Sequence, residues 1–242
     1  MILKGLLKTE RHFPTGSEVD GKVYIHHTCR EFLILSPAKR RMKYFFQKKV
    51  LEAGLDEAGR GCLAGPVFAA AVIWPPNVRL PGINDSKQLT PADRERLRPI
   101  IEKKALAWAV ASTAVELIDR INILQASMQA MHQAVQLLTT TPELLLIDGH
   151  YFVLLKGYQH KCIVSGDALY TSIAAASILA KTYRDEYMLD LHHQFPQYGW
   201  DHNKGYGTAD HRAAIDRYGP TPHHRMSFRP FAVDPQLKLF DD

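Results

Sequence analysis

Two adjacent carboxylates followed at once by a glycine-flanked cation, Gly54-Leu55-Asp56-Glu57-Ala58-Gly59-Arg60-Gly61, are the residues of this chain that point most directly to chemistry. Acids at a strand end gather hard cations such as Mg2+. An open glycine turn lets backbone N–H groups and Arg60 approach a phosphate. Two more acids stand beside glycine further along, in Asp148-Gly149 and Gly166-Asp167, each after a short apolar run. Ends of neighbouring strands lie about 5 Å apart, so Asp56, Glu57, Asp148 and Asp167 can converge if their strands share a sheet. Like charges so crowded raise one another's pKa unless cations relieve them. Such a cluster suits a two-metal phosphodiester site, one ion generating the attacking hydroxide and the other stabilising the leaving oxygen. On spacing alone a plainer reading stands beside it, because aspartate next to glycine is ordinarily a turn former.

The elements that must position these acids are legible in outline. Val50–Leu55 reads as a short buried strand. It must end at Asp56 if both carboxylates are to serve one site, since neighbouring strand residues point to opposite faces. Val67–Trp74 is apolar throughout and reads as a strand covered on both faces. Thr90-Pro91-Ala92-Asp93 opens a helix with a capping residue, a proline at the first position and an acid in the first turn. Ala107–Ala114 reads as a strand, and a helix follows from about Val115 to Leu138. Leu144–Ile147 is a strand that delivers Asp148, and Cys162–Val164 is one that delivers Gly166-Asp167. A long helix from about Thr171 to His193 carries Ile173, Ala176, Ala180, Tyr187 and Leu191 near one face. Thr208 caps a last helix that stops at Gly219-Pro220. This order predicts the α/β class: a mixed sheet flanked by helices, with a C-terminal helical segment.

A chain of 242 residues, 46% apolar, can bury one substantial core with appendages. No run approaches the roughly 18 apolar residues of a membrane span, and Lys4 and Lys8 interrupt the start too early for a signal peptide. Cys29, Cys62 and Cys162 lack C-x-x-C spacing and imply neither a disulfide framework nor a zinc knuckle; a cytoplasmic protein with reduced thiols is expected. The formal charge of +5 is unevenly spread. Residues 1–49 hold 11 Lys/Arg against 4 Asp/Glu, whereas residues 50–242 hold 19 against 21. Nucleic-acid binding must therefore rest on local features of the main domain, not on the net charge. Residues 1–41 show no sustained periodicity and end in Lys39-Arg40-Arg41 before Met42. They read as a basic extension without regular structure or as a start-site artefact.

The motifs chain together in a specific way. Gly54–Gly61, Asn84-Asp85-Ser86-Lys87, Ile147-Asp148-Gly149, Gly166-Asp167, Ala174–Lys181 with Arg184-Asp185, and Lys204-Gly205-Tyr206 are followed by His223-His224-Arg225 and Ser227-Phe228. In order and spacing the stretch from about 50 to 230 resembles prokaryotic type 2 ribonuclease H, ribonuclease HII. The resemblance implies an RNase H-like catalytic domain over 42–230 and Mg2+- or Mn2+-dependent cleavage of RNA in RNA/DNA hybrids. It also implies incision 5′ of single ribonucleotides in duplex DNA, leaving a 3′-hydroxyl, by a monomer. Carried over by position, the metal-binding and catalytic acids are Asp56, Glu57, Asp148 and Asp167. Gly59, Arg60 and Gly61 match the turn that reads the ribonucleotide 2′-OH and its phosphate, and Tyr206 matches the tyrosine at the RNA–DNA junction. Backbone amides and a phenol are suited to the 2′-OH, the group that separates RNA from DNA. Lys87 and Lys181 match positions near the substrate backbone, and Lys181 reads equally well as a solvated surface lysine. Ser177 reads as a packing residue with a local hydrogen bond or as a substrate contact.

One departure stands out: Ser165-Gly166-Asp167 occupies the place of a common Lys-Gly-Asp, so a positive charge beside the fourth acid is missing. His150, after Asp148-Gly149, reads as a rim residue. The other histidines fall at helix ends and loops without zinc spacing. The nearest rival, type 3 ribonuclease H, usually shows Gly-Thr-Gly where this chain has Gly59-Arg60-Gly61. An inactive nucleic-acid-binding module would gain nothing from crowded acids beside phosphates. A transposase-like member of the superfold is open to the fold but has no support from the glycine-arginine turn. The tail, 231–242, contains Gln236-Leu237-Lys238-Leu239-Phe240. It resembles the short peptide by which bacterial replication and repair proteins dock on the sliding clamp, and a tail folded back on the domain is the alternative. Clamp docking would place the enzyme where ribonucleotides are misincorporated.

Overall fold

Every residue of Val67–Ile73 is buried, as a strand covered on both faces requires. The computed structural model describes residues 42–80, 82–83, 89–229 and 231. Lys87, the leader 1–41 and the clamp-like Gln236–Phe240 lie outside the described residues. Five strands form one sheet in the order β3-β2-β1-β4-β5. They are β1 Glu52–Ala58, β2 Val67–Ile73, β3 Ala107–Thr113, β4 Leu144–Asp148 and β5 Gln159–Ile163. The pairs β1–β2 and β2–β3 are antiparallel, whereas β1–β4 and β4–β5 are parallel. The mixed sheet is the one expected from the sequence. Its parallel half arises because α2, Val115–Gln136, carries the chain from β3 across the sheet to β4.

Helices cover both faces. Ala53, Leu55, Val67, Ala69, Ala71, Leu145 and Ile147 pack with α2 on one side. Ala70, Val72 and Trp74 pack on the other with Leu97 and Ile101 of α1, Pro91–Lys104, and with the alanine-rich turns of α3, Thr171–Gln194. At Gly54 a Cβ would come within 2.3 Å of Ile173 N, so α3 lies directly on the backbone of β1. The capping box at Thr90 forms as read: its hydroxyl accepts from Asp93 N at 3.1 Å. Thr208 likewise caps α5, Ala209–Tyr218, accepting from His211 N at 3.3 Å.

Several boundaries differ from the sequence reading. β1 does not stop at Asp56 but continues through Ala58, because β2 still pairs with it there. β5 begins at Gln159 and ends before Val164. Asp167 therefore leaves no strand end; it sits in a 3-10 turn, Gly166–Ala168, reached through Ser165 at φ 55. α2 is broken at Asn122 (φ 68, ψ 164), whose side chain accepts from Gln125 N at 3.1 Å and restarts the helix as a fresh cap. Tyr187 is not core: its ring leans on Phe68, with centroids 5.7 Å apart, and faces solvent. After α3 come a 3-10 turn, Pro196–Tyr198, and the short α4, Trp200–Asn203, neither legible in the sequence. They build a separate cluster of Tyr198, Trp200, Met188, Leu191 and Ile215 with Leu63 and Ala64. No helix among the described residues is long and apolar enough to cross a membrane.

Candidate active site

The site lies at the end of the sheet where β1 loses its parallel neighbour. Pairing between β1 and β4 ends at Leu55–Ile147, so the next step along both strands sets Asp56 beside Asp148. Asp56 shares the parity of Gly54 and faces α3. Glu57 shares the parity of Ala53 and Leu55 and points to the other face. Both nevertheless line one cleft of about 420 Å³, together with Gly59, Arg60, Gly61, Asp148, Ser177, Lys181 and Tyr206. The expected strand end at Asp56 is thus unnecessary. The freed edge of β1 lets the cleft wrap around it, and both carboxylates reach the same space.

Three carboxylates crowd together in this cleft, with Arg60, Arg94 and Lys181 also on its walls. Asp56 is 8% exposed, and its pKa is raised well above the usual carboxylate range, first by burial and then by Glu57 and Asp148. A hydrogen bond from Ser177 and the amide of Glu57, 2.8 Å from Asp56 Oδ1, offset this only in part. Burial also raises Glu57, opposed by Arg60, whose Nη1 lies 3.0 Å from Glu57 Oε1. Asp148 accepts from the amide of Gly166 at 2.7 Å. Asp167, next in the chain, is 1% exposed and is not among the residues lining the cleft. The structure thus lines the cleft with three of the four acids read from the sequence; the fourth lies in the turn whose Gly166 amide donates to Asp148.

This donor set fits a divalent cation of the Mg2+ kind. Among the described residues no three His, Cys, Asp or Glu side chains form a ready cage. Mg2+ does not require one: it keeps several waters and is typically held by one or two carboxylates plus substrate phosphate. Asp56, Glu57 and Asp148 supply those carboxylates. Burial and then the repulsion of Glu57 and Asp148 raise the pKa of Asp56, and such a cation relieves that repulsion.

Beside the acids stands a surface suited to a sugar-phosphate backbone. Gly59 has φ 95, and a Cβ there would fall 2.0 Å from Arg184 Nε, so only glycine fits this turn. Tyr206 is 42% exposed and belongs to a loop that bridges to Cys62. Burial and the neighbouring Cys62 raise its phenol pKa, which keeps the O–H a donor at neutral pH. Lys181 Nζ lies 5.6 Å from the Tyr206 ring and 2.7 Å from Asp185. Arg94, at the start of α1, also lines the cleft, and sequence reading gave it no role. Its Nη1 donates to Leu89 O at 2.6 Å, and its Nε is buried without a partner among the described residues. His150 is exposed and outside the cleft. Of the other histidines, His192 and His202 pair with Asp201, and His211 and His224 are buried beside Trp200.

The family model described as Ribonuclease HII matches residues 53–230. A ribonuclease HII of Phocaeicola vulgatus is 55% identical over 195 residues, which span 81% of this chain and 97% of that protein. Among solved structures, the ribonuclease H2 of Pyrococcus horikoshii OT3 superposes with a TM-score of 0.63 at 26% identity, covering 74% of this chain and 94% of that one. A Bst-RNase HIII in complex with Mn2+ superposes with a TM-score of 0.58 at 20% identity, covering 75% of this chain and 68% of that one. At that identity the last likeness is one of fold.

Proposed function

The chain belongs to the ribonuclease HII family, as an endoribonuclease acting on RNA/DNA hybrids, and from that premise we propose that it also incises 5′ of single ribonucleotides in duplex DNA. The observation that carries this reading is the joining of acids and RNA reader in one cleft: Asp56, Glu57 and Asp148 share it with the Gly59–Gly61 turn and Tyr206. A nuclease that needs only long hybrids gains little from a reader for one 2′-OH set beside the cutting site.

In this reading Asp56, Glu57 and Asp148 hold Mg2+ or Mn2+, with Asp167 completing the acidic set through its turn. The Mn2+ bound by the Bst enzyme of the same fold supports the choice of ion class. Bound divalent ions activate water and stabilise the departing oxygen in phosphodiester hydrolysis, which leaves a 3′-hydroxyl and a 5′-phosphate. The chain's own residues do the positioning. Ser177 orients Asp56 by its hydrogen bond. The amides of the Gly59–Gly61 turn and the Tyr206 hydroxyl bond the 2′-OH, and the Tyr206 ring covers the following sugar. Lys181, Lys87 and Arg94 neutralise phosphates along the strand. The Gln236–Phe240 segment docks on the sliding clamp, a proposal that rests on those five residues alone; calorimetry of the tail peptide with the cognate clamp, against a Leu239→Ala, Phe240→Ala peptide, tests it.

The test of the main reading is a duplex with one embedded ribonucleotide, incubated with Mg2+ or chelator. Metal-dependent nicking 5′ of the ribonucleotide with a 3′-hydroxyl product is expected. Cleavage of a long hybrid with no nicking of this duplex would overturn it.

A further inference from the structure

The segment from Arg60 to Pro66 joins β1 to β2, lies largely buried and is not part of the sheet. Buried backbone carbonyls must find donors, and here two arginines supply them. Arg184, from α3, donates from Nη2 to Ala64 O at 3.0 Å and from Nε to Pro66 O at 3.2 Å. Arg225 donates from Nε to Gly65 O at 2.9 Å and from Nη1 to Arg60 O at 3.0 Å. Three consecutive carbonyls, those of Ala64, Gly65 and Pro66, are thus taken alternately by the two guanidiniums. The amide of Arg225 also donates to Leu63 O at 2.8 Å.

Arg184 also ties this segment to the tyrosine loop. Arg184 Nη1 donates to Lys204 O at 2.9 Å, and its guanidinium carbon lies 6.0 Å from the Tyr206 ring. Backbone bonds run parallel to that link: Leu63 N and Ala64 N both donate to Gly205 O, and Gly65 N donates to His223 O. Both arginines are fully buried, and neither has a carboxylate among its hydrogen-bond partners within the described residues. Burial brings Arg225 down to about 10, and the nearby Arg184 pushes the same way, yet it stays charged at neutral pH. Two buried like charges are a costly way to tether a loop, yet apolar residues in their place would leave the carbonyls of Arg60, Ala64, Gly65, Pro66 and Lys204 without these donors. The two guanidiniums thus fix the geometry of the segment as well as satisfying its carbonyls.

We propose that Arg184 and Arg225 are positioning residues: Arg225 fixes the shape of residues 60–66, and Arg184 clamps them against the Tyr206 loop. They fix the spacing between the Gly59–Gly61 turn and the phenol, and so set selectivity for a single ribonucleotide, a role that rests on the function proposed above. A long hybrid offers many registers and tolerates a looser reader. One embedded ribonucleotide offers a single register, and misplacement by about 1 Å is costly in a positioned reaction.

Amide hydrogen exchange on the free protein, read with steady-state cleavage, tests this. In the parent protein the amides of Leu63, Ala64 and Gly65 should be as protected as those of β1, although they lie outside the sheet. In Arg184→Lys and Arg225→Lys one ammonium replaces a multidentate fork. These three amides should then exchange at least about tenfold faster, and kcat/KM on the single-ribonucleotide duplex should fall about tenfold more than on a long hybrid. Met131→Ala, in the core on the α2 side, controls for lost stability and should leave the substrate ratio unchanged. Surface-like exchange of the three amides in the parent would overturn the clamp even if neither lysine variant folds. Faster exchange with an unchanged substrate ratio, or an equal loss of ratio in Met131→Ala, would overturn its role in selectivity. A parent enzyme that cuts hybrids but leaves the single-ribonucleotide duplex intact would sink the proposed function instead; the clamp would then be judged on exchange and on KM for the hybrid.

Discussion

Asp56 is buried beside Glu57 and Asp148, and its hydrogen bonds from Ser177 and the Glu57 amide offset burial and repulsion only in part. Replacement by Asn keeps the shape and removes the repulsion. Cleavage under Mg2+ should fall by about two orders of magnitude or more in Asp56→Asn and in Asp148→Asn. In chelator, Asp56→Asn should melt at a higher temperature than the parent, because relief of repulsion then has no lost cation to set against it. Calorimetry with and without Mg2+ checks both halves, and near-parent turnover by Asp148→Asn would remove it from the metal site. At Tyr206 the expected signature is substrate-dependent. Tyr206→Ala should lose more activity on one embedded ribonucleotide than on a long hybrid, since the first presents a single RNA–DNA step. Equal losses on both substrates would make it a packing residue.

At the scale of elements, the close seating of α3 on β1 sets the site, since α3 carries Ser177 and Lys181 and β1 carries Asp56 and Glu57. Gly54→Ala would drive a methyl into the backbone at Ser172 and Ile173. A loss of about 1–3 kcal/mol is expected from such overpacking. Activity should fall further than denaturant unfolding alone predicts, because the helix moves relative to the acids. The α4–α5 region offers a separate test. Burial and the neighbouring His211 lower the pKa of His224 to about 4 from 6.5. The folded state therefore resists a proton that the unfolded chain accepts. The stabilising contribution is complete above pH 6.5, is lost as pH falls toward about 4, and is flat below that. The whole effect is at most about 3 kcal/mol. His224→Gln should flatten this part of the stability profile relative to the parent; an unchanged slope from pH 6.5 to 4 would show that His224 does not cause it.

For the whole molecule, charge is divided unequally, with a net +7 in residues 1–49 and −2 in residues 50–242. A chain starting at Met42 retains β1 to α5 and the cleft. It also retains Lys43, whose backbone bonds to Leu169 and Thr171 at the start of α3. Its turnover at saturating hybrid is expected to equal that of the full chain. KM should rise only at low ionic strength, where the leader's charges are unscreened. A fall in turnover, or loss of solubility, would mean that the leader supports the catalytic domain.

What the sequence determined by itself is what chain connectivity guarantees. Asp56-Glu57 and Gly59-Arg60-Gly61 are within six residues of one another, so acids and turn must share a neighbourhood in any fold that keeps β1. Thr90 and Thr208 cap their helices because a cap is made with amides only a few residues away. The strand patterns fixed the α/β class for the same local reason. Tertiary structure decided everything that depends on residues far apart in the chain. That Glu57 reaches the cleft although β1 runs on to Ala58 follows from where β4 stops pairing. Asp167 reads as another strand-end acid, but it lies buried in the 3-10 turn after β5. Arg94 enters the cleft only because α1 packs beside α3. Arg225 and Gly65 are 160 residues apart, and no local pattern announces that a buried guanidinium will satisfy that carbonyl. Local propensity acts over a few residues, whereas the donors for a buried, irregular segment are chosen by whatever the packed core brings to it.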